Sequence, residues 1–159
     1  MYKIYKRDGE QMFYHEVWEE NGVVIEHFGE VGEVGETQKH EIPGDSDEDK
    51  VMESLMRPVV TKGFEEFDDE DLIRLKVEIE RTGKGDDADL KRRHELEDRL
   101  DDLLGETGVG HCDGGEFSDD SLVAWCFVVN ELTATEVIES ELGGWDDFQR
   151  IRLGESMQK

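Results

Sequence analysis

The chain has few of the residues that would define several classes of protein, beginning with cysteine and proline. Only two of each occur among 159 residues. Cys112 and Cys126 are too few for a disulfide framework, which favours a reducing, cytoplasmic location. The segment after Met1 lacks the apolar core of a secretory signal, and no apolar run approaches the ~18 residues of a membrane span. We therefore expect a cytoplasmic protein that has no membrane partner.

Basic residues are also scarce: 18 Lys and Arg stand against 43 Asp and Glu, for a formal net charge of -25. Nucleic-acid binding relies on clustered cations that displace counterions from phosphates. The densest cluster, Lys91–Arg93, lies in an otherwise acidic segment, so nucleic acid is disfavoured as a partner. The charge favours a basic protein partner or simple solubility. Adaptation to high salt is a further reading, which the equal numbers of lysine and arginine do not strongly support.

The first 67 residues have the pattern of an antiparallel sheet followed by one helix. Strand-like runs occupy residues 2–6, 11–18, 23–28 and 37–42. Asn21-Gly22 is a strong signal for a hairpin between the second and third runs. From about Ser46, apolar residues recur at helical spacing and predict a helix, which Pro58 is expected to end or kink.

Glycine recurs at every third position between the third and fourth runs, at Gly29, Gly32 and Gly35. This spacing predicts tight backbone reversals or positions where a Cβ would clash. The run His27–Thr37, together with the later Thr61–Phe64, resembles the WGR domain, a small module named for its Trp-Gly-Arg core. The resemblance covers residues 1–67 and implies an antiparallel sheet with one helix.

The resemblance also carries a functional expectation. WGR modules of the poly(ADP-ribose) polymerases contact DNA and relay that contact to a catalytic domain. In this chain Phe28 stands in place of the family's Trp and Glu30 in place of its Arg, so the charge that would meet a phosphate is reversed. We therefore interpret Glu30, Glu33 and Glu36 as candidate residues for binding a basic partner.

The second half has a different pattern, which follows an acidic linker at residues 68–71. Strands are predicted at 72–79, 107–111, 122–129 and 148–153, and helices at 88–104 and 133–142, the second capped by Thr133. This order predicts an α+β domain over residues 72–154 with the split βαβ, or ferredoxin-like, arrangement. Residues 155–159 are expected to be a tail. Because the open face of such a sheet often mediates dimers, a homodimer is a further expectation.

Reactive side chains cluster locally at His111, Cys112, Asp113 and Glu116. In an enzyme, Cys112 would be the nucleophile, with a histidine as base and a carboxylate to orient it. Adjacent residues on a strand point to opposite faces, however, so His111 and Cys112 are poorly placed to pair. The structural alternative is a bulge formed by the following glycines, with Cys112 packed as a small apolar residue. The close ligand spacings of a zinc site are missing, and no metal or cofactor is expected.

Trp145 follows two glycines and precedes two aspartates. We expect it either to pack at the edge of the core, which is the favoured interpretation, or to anchor a basic partner. The preferred interpretation is a non-catalytic interaction protein that binds another protein through its acidic surface. A sharper version is an acidic inhibitor, or immunity-type protein, of a basic nuclease or toxin. The alternatives are a WGR-type nucleic-acid binder and a small enzyme that uses His111 and Cys112.

Overall fold

The computed structural model describes residues 1–81, 87–143, 151–153 and 157–158. The chain divides into two compact units, Met1–Phe67 and Asp68–Lys159. Each unit combines an antiparallel sheet with helical structure, one helix in the first unit, so the α+β class expected from the sequence is confirmed. Within the described residues, no helix combines the length and the apolar character needed to cross a membrane.

The first unit is a four-stranded antiparallel sheet with one helix. Its elements are β1 (Tyr2–Asp8), β2 (Gln11–Glu20), β3 (Val23–Glu30), β4 (Glu36–Glu41) and α1 (Glu48–Val60). The strands lie in the order of the chain. Asn21 and Gly22 both have positive φ, at 52° and 82°, as a two-residue type I′ hairpin requires. Because Glu20 pairs with Val23 across this turn, the hairpin sets the register of β2 against β3.

Helix α1 begins after Asp47, whose side chain accepts a hydrogen bond from the Lys50 backbone N–H at 3.0 Å. Pro58 lies inside the helix, which continues to Val60. The prediction that Pro58 could end the helix is therefore wrong. Pro58 removes one backbone donor, but the Thr61 N–H still bonds to the Arg57 carbonyl and continues the helical pattern.

The core of the first unit lies between α1 and one face of the sheet. Its buried members are Ile4, Val17, Val24, Met52, Met56 and Val59, and Ile42, Val51, Leu55 and Phe64 pack against them. After the helix the chain returns to the first strand, where Tyr5 and Glu65 exchange two backbone hydrogen bonds of 2.9 Å. The apolar stripe predicted for α1 thus faces the sheet.

The second unit begins with a 3-10 turn at Asp69–Asp71, within the predicted acidic linker. Its further elements are β5 (Ile73–Glu80), α2 (Asp87–Glu106), β6 (Gly110–Phe117), β7 (Ser121–Val128), α3 (Glu131–Leu142), β8 (Ile151–Leu153) and β9 (Met157–Gln158). The sheet has the order β6-β7-β5-β8, all antiparallel, and β9 also pairs with β5. Helix α2 packs on β6, β7 and α3. The unit is therefore a small βαβ-like domain.

Three details of the second unit differ from the sequence predictions. The residue that caps α3 is Asn130, whose side chain accepts from the Thr133 N–H at 2.9 Å, so Thr133 is not the N-cap. The strand expected at 107–111 begins only at Gly110, because Gly108 turns the chain with a φ of 66°. Residues 157–158, expected to lie in a tail, form β9.

Candidate functional site

The acidic glycine run forms the loop between β3 and β4. Two backbone hydrogen bonds fix its first half: the Val31 N–H donates to the Met12 carbonyl at 2.8 Å, and the Glu33 N–H donates to the Glu30 carbonyl at 3.1 Å. Gly32 reverses the chain with a φ of 101°, a conformation that strains a residue with a Cβ. The loop is therefore a closed turn with a defined backbone.

Two of the three candidate glutamates point into solvent from this loop. Glu33 and Glu36 are exposed, and between them Val34 keeps 74% of its surface exposed. Glu30 is half-buried and accepts a hydrogen bond from the Gln11 side-chain amide at 3.2 Å. We call Glu33, Val34 and Glu36 the acidic tip. Glu30 supports the base of the loop beside the tip.

The inner side of the loop lies against a buried tyrosine and histidine. A Cβ added to Gly35 would collide with the Tyr14 hydroxyl and would lie 2.8 Å from His27 Nε2 and 2.7 Å from the Phe28 carbonyl oxygen. A Cβ on Gly29 would lie 3.1 Å from the Gly35 Cα. The glycine spacing thus reflects close backbone approach at positions 29 and 35 and a chain reversal at position 32.

Below Gly35, polar side chains form a hydrogen-bonded row on the sheet face opposite to α1. The Tyr14 hydroxyl lies 3.1 Å from His27 Nε2, and His27 Nδ1 lies 2.7 Å from a Glu16 carboxylate oxygen. The other Glu16 oxygen is 3.6 Å from Lys3 Nζ. With Nδ1 donating to Glu16, Nε2 pairs with the tyrosine hydroxyl, which can both donate and accept a hydrogen bond. Each polar group of the row therefore has a partner: the Tyr14 hydroxyl pairs with the His27 imidazole, which pairs with the Glu16 carboxylate, which in turn lies near the Lys3 ammonium.

This row has the residue types of a proton relay, but its terminal hydroxyl is closed off. Tyr14 is 1% exposed and lies under the Gly35 backbone. Burial raises the pKa of Tyr14, and the nearby Glu16 carboxylate raises it further. A tyrosine held protonated and out of solvent is a poor nucleophile or base. We therefore interpret the row as a support for the loop.

A second buried carboxylate lies on the sheet face that carries α1. The two oxygens of Glu26 accept from His15 Nε2 and His40 Nε2, each at 2.7 Å. The His15 ring also stacks on Phe28, with ring centroids 5.0 Å apart and an interplanar angle of 11°. Glu26 thereby ties β2, β3 and β4 together. Sequence reasoning missed this cluster and the Tyr14–His27–Glu16 row.

The reactive residues His111, Cys112, Asp113 and Glu116 of the second unit do not converge on one point. His111 stacks on Phe127, with ring centroids 5.5 Å apart. Cys112 is the next residue along β6 and is paired with Cys126. Its side chain therefore points to the other face of the sheet. The strand register shifts between Cys112 and Gly115. The predicted bulge is therefore present, and Asp113 and Glu116, at and after it, are exposed.

The described part of the chain contains no group of three or more His, Cys, Asp or Glu side chains arranged to hold a metal ion. Trp145, the remaining candidate binding residue, lies outside the described residues. Of the predicted binding residues, the structure places Glu33 and Glu36 in the acidic tip and Glu30 beside it.

We expect Gly35→Ala to lower the free energy of unfolding by about 1–3 kcal/mol, because the new methyl group must displace the buried Tyr14 hydroxyl. Gly44→Ala is the matched control, since a Cβ there meets nothing within 4 Å. Denaturant unfolding followed by circular dichroism measures both. Adding Tyr14→Phe to Gly35→Ala should recover part of the loss. Equal stability of the two alanine variants would contradict the packing of the loop on Tyr14.

Stability should also fall at alkaline pH. Burial raises the pKa of both Tyr5 and Tyr14 above the usual 10.0, so the unfolded chain releases these protons first. The stabilisation is complete below pH 10 and is lost as the pH rises through the folded values. Unfolding free energies measured from about pH 9 to pH 12 should decline more steeply for the wild type than for Tyr5→Phe/Tyr14→Phe. Parallel declines would mean that the two phenols ionise freely in the folded state.

Comparison with known proteins finds no relative of this chain. A scan against models of protein families finds no match, and searches of curated proteins and of solved structures also find none. The likeness to the WGR domain therefore depends on the motif residues themselves, and any function must be argued from the geometry of the chain.

Proposed function

We propose that this chain is a non-catalytic interaction protein that binds a basic protein partner through the acidic tip of its first unit. The observation that carries the proposal is that Val34 is exposed and lies between Glu33 and Glu36 in the chain, both of which are also exposed. The loop that holds them is hydrogen-bonded to the sheet through Val31 and Met12. An apolar side chain flanked by two like charges suits a partner that offers an apolar pocket rimmed by lysine or arginine.

The support beneath the tip favours binding for an energetic reason. Ordering a loop on association costs conformational entropy, and a loop that is already ordered avoids much of that cost. Here the ordering comes from the packing of Gly35 over Tyr14 and His27 and from the backbone hydrogen bond between Val31 and Met12. The loop that carries the tip is thus packed on the sheet before any partner binds.

The net charge of the chain also favours a basic protein partner. The net charge of -25 attracts a cationic protein and accelerates its approach at low ionic strength. Glu30, which occupies the position of the WGR arginine, keeps the charge at the base of the loop negative. A basic nuclease or toxin is the partner that best fits such a surface, because carboxylates then occupy the place where nucleic acid would bind.

The surroundings of Tyr14, His111 and Cys112 favour a non-catalytic protein. Tyr14 is buried under Gly35, and its pKa is raised by burial. His111 and Cys112 point to opposite faces of their sheet. Tyr14 is hydrogen-bonded to His27, and the His111 ring stacks on Phe127.

Charge reversal at the tip should weaken partner binding. Glu33→Lys/Glu36→Lys and Val34→Ser are each expected to lower affinity by about tenfold or more, since the tip supplies both the charge and the apolar contact. Glu136→Lys/Glu139→Lys is the matched control, because it changes the net charge equally at exposed positions of α3. Immobilised wild type captures the partner from host lysate, and calorimetry with the recovered protein then compares the variants.

The affinity of the wild type for that partner should also fall as salt is added. Recovery of a nuclease or toxin would identify the inhibitor version of the proposal. If both charge-reversed variants lost affinity equally, the net charge rather than the tip would be responsible. Capture of only acidic or neutral proteins would remove the proposal.

Duplex DNA that carries nicks and ends should not bind, even at low salt. A chain with 43 acidic and 18 basic residues has few cations with which to release counterions from phosphates. Fluorescence anisotropy of a labelled duplex, titrated with the chain at increasing salt, measures this directly. Tight binding with a steep loss of affinity on adding salt would instead establish the nucleic-acid alternative and reveal a cationic face.

A further inference from the structure

The two cysteines of the chain lie directly opposite each other on neighbouring strands. Cys112 of β6 is the register partner of Cys126 of β7, and both are free thiols. Directly opposed residues of an antiparallel pair project from the same face of the sheet. The two thiols are therefore neighbours, although 13 residues separate them in the sequence.

The type of strand pair brings these thiols close. The Cys112 backbone N–H donates to a carboxylate oxygen of Asp101 at 2.9 Å. The Val129 N–H donates to the Val109 carbonyl at 2.9 Å, three register positions away, and hydrogen-bonded and non-hydrogen-bonded pairs alternate along such a ladder. Cys112 and Cys126 thus form a non-hydrogen-bonded pair, for which the Cα separation is about 4.5 Å and the side chains approach most closely. That separation lies within the range of about 4.4–6.8 Å that a disulfide spans.

The neighbouring Cys112 thiol also affects the ionisation of Cys126. The pKa of the Cys126 thiol is raised, first by its hydrogen bond with the Cys112 side chain and then by burial. A thiol in this state remains protonated and reacts slowly with oxidants in solution. Among the described residues, no third ligand joins the pair to form a metal site.

The two thiols differ in their access to solvent. Cys126 is completely buried, whereas Cys112 is half-buried and adjoins the exposed residues Asp113 and Gly114 of the bulge. An oxidant can therefore reach Cys112 first, and Cys126 is then positioned to resolve the product. An accessible cysteine with a second, resolving cysteine beside it is a common arrangement in redox sensors.

We propose that Cys112 and Cys126 are a redox modification site at which a hydroperoxide closes a reversible disulfide between β6 and β7. The Cys112 thiolate attacks the terminal oxygen of the hydroperoxide, and the O–O bond breaks. The leaving alkoxide, or hydroxide when the oxidant is hydrogen peroxide, takes up a proton and becomes an alcohol or water. The Cys126 sulfur then attacks the Cys112 sulfenic acid, so that the S–S bond forms and the S–O bond breaks. The departing oxygen takes the Cys126 proton and leaves as water. Two electrons from the dithiol thus reduce one hydroperoxide.

This site is independent of the acidic tip, because it lies in the second unit and requires no protein partner. The test treats the reduced full chain with hydrogen peroxide, removes the peroxide with catalase, and alkylates the remaining thiols in denaturant. Intact mass and a peptide map without reductant follow. We expect both thiols to be lost together, a direct link between the Cys112 and Cys126 peptides within one chain, and recovery of both thiols with dithiothreitol.

Two variants separate the roles of the cysteines. In Cys126→Ala, Cys112 should stop at a sulfenic acid that dimedone traps. In Cys112→Ala, the buried Cys126 should react at least about tenfold more slowly than Cys112 does in the first variant. Circular dichroism checks that both variants are folded, and the linkage map of the wild type depends on neither.

Met1, which is 75% exposed, serves as an internal control, because its sulfoxide shows that the oxidant reached the chain. Two fully alkylated thiols beside an oxidised Met1 would overturn the proposal. So would a disulfide found only between separate chains, since that result would place Cys112 and Cys126 too far apart to join.

Discussion

The pairing of β2 with β3 is the constraint on which the rest of the first unit depends. The two-residue turn at Asn21-Gly22 sets Glu20 against Val23, and every pair further along the strands follows from that one. Glu16 meets His27, and Tyr14 meets Gly29, so a carboxylate, an imidazole and a phenol come together on one face. A shift of one residue would exchange the two faces and separate these partners. The loop that presents the acidic tip therefore depends on a turn at the other end of the hairpin.

Burial of charge in so acidic a chain is tolerated only where partners compensate it. Glu16 and Glu26 are 4% and 8% exposed, and each is held by histidine hydrogen bonds of 2.7 Å. An unpaired carboxylate at either position would be costly to remove from water. These two residues stabilise the sheet from opposite faces, while Glu33 and Glu36 remain in solvent. The same residue type thus serves the fold in the strands and, in our proposal, recognition in the loop.

Local patterns were sufficient to predict most elements of the chain, because periodicity and turn chemistry act over a few residues. The hairpin at Asn21-Gly22 and the bulge near Gly114 were both predicted on that basis. The errors arose where two local signals compete. Asn130 and Thr133 are both acceptable caps, and the chain uses Asn130. Pro58 lies in the last turn of α1, where the loss of one donor does not end the helix.

The class of fold, the acidity of the surface and the positions of the close-packed glycines can be read from the amino-acid sequence, because these depend on composition and on near neighbours in the chain. The pairing of Glu16 with His27 could also have been counted outward from the hairpin turn. Three contacts required the folded chain: Gly35 lies over Tyr14, Glu26 joins His15 to His40, and Cys112 faces Cys126. Each of these contacts joins residues more than ten positions apart, and strand register and chain reversal, rather than local preference, bring them together.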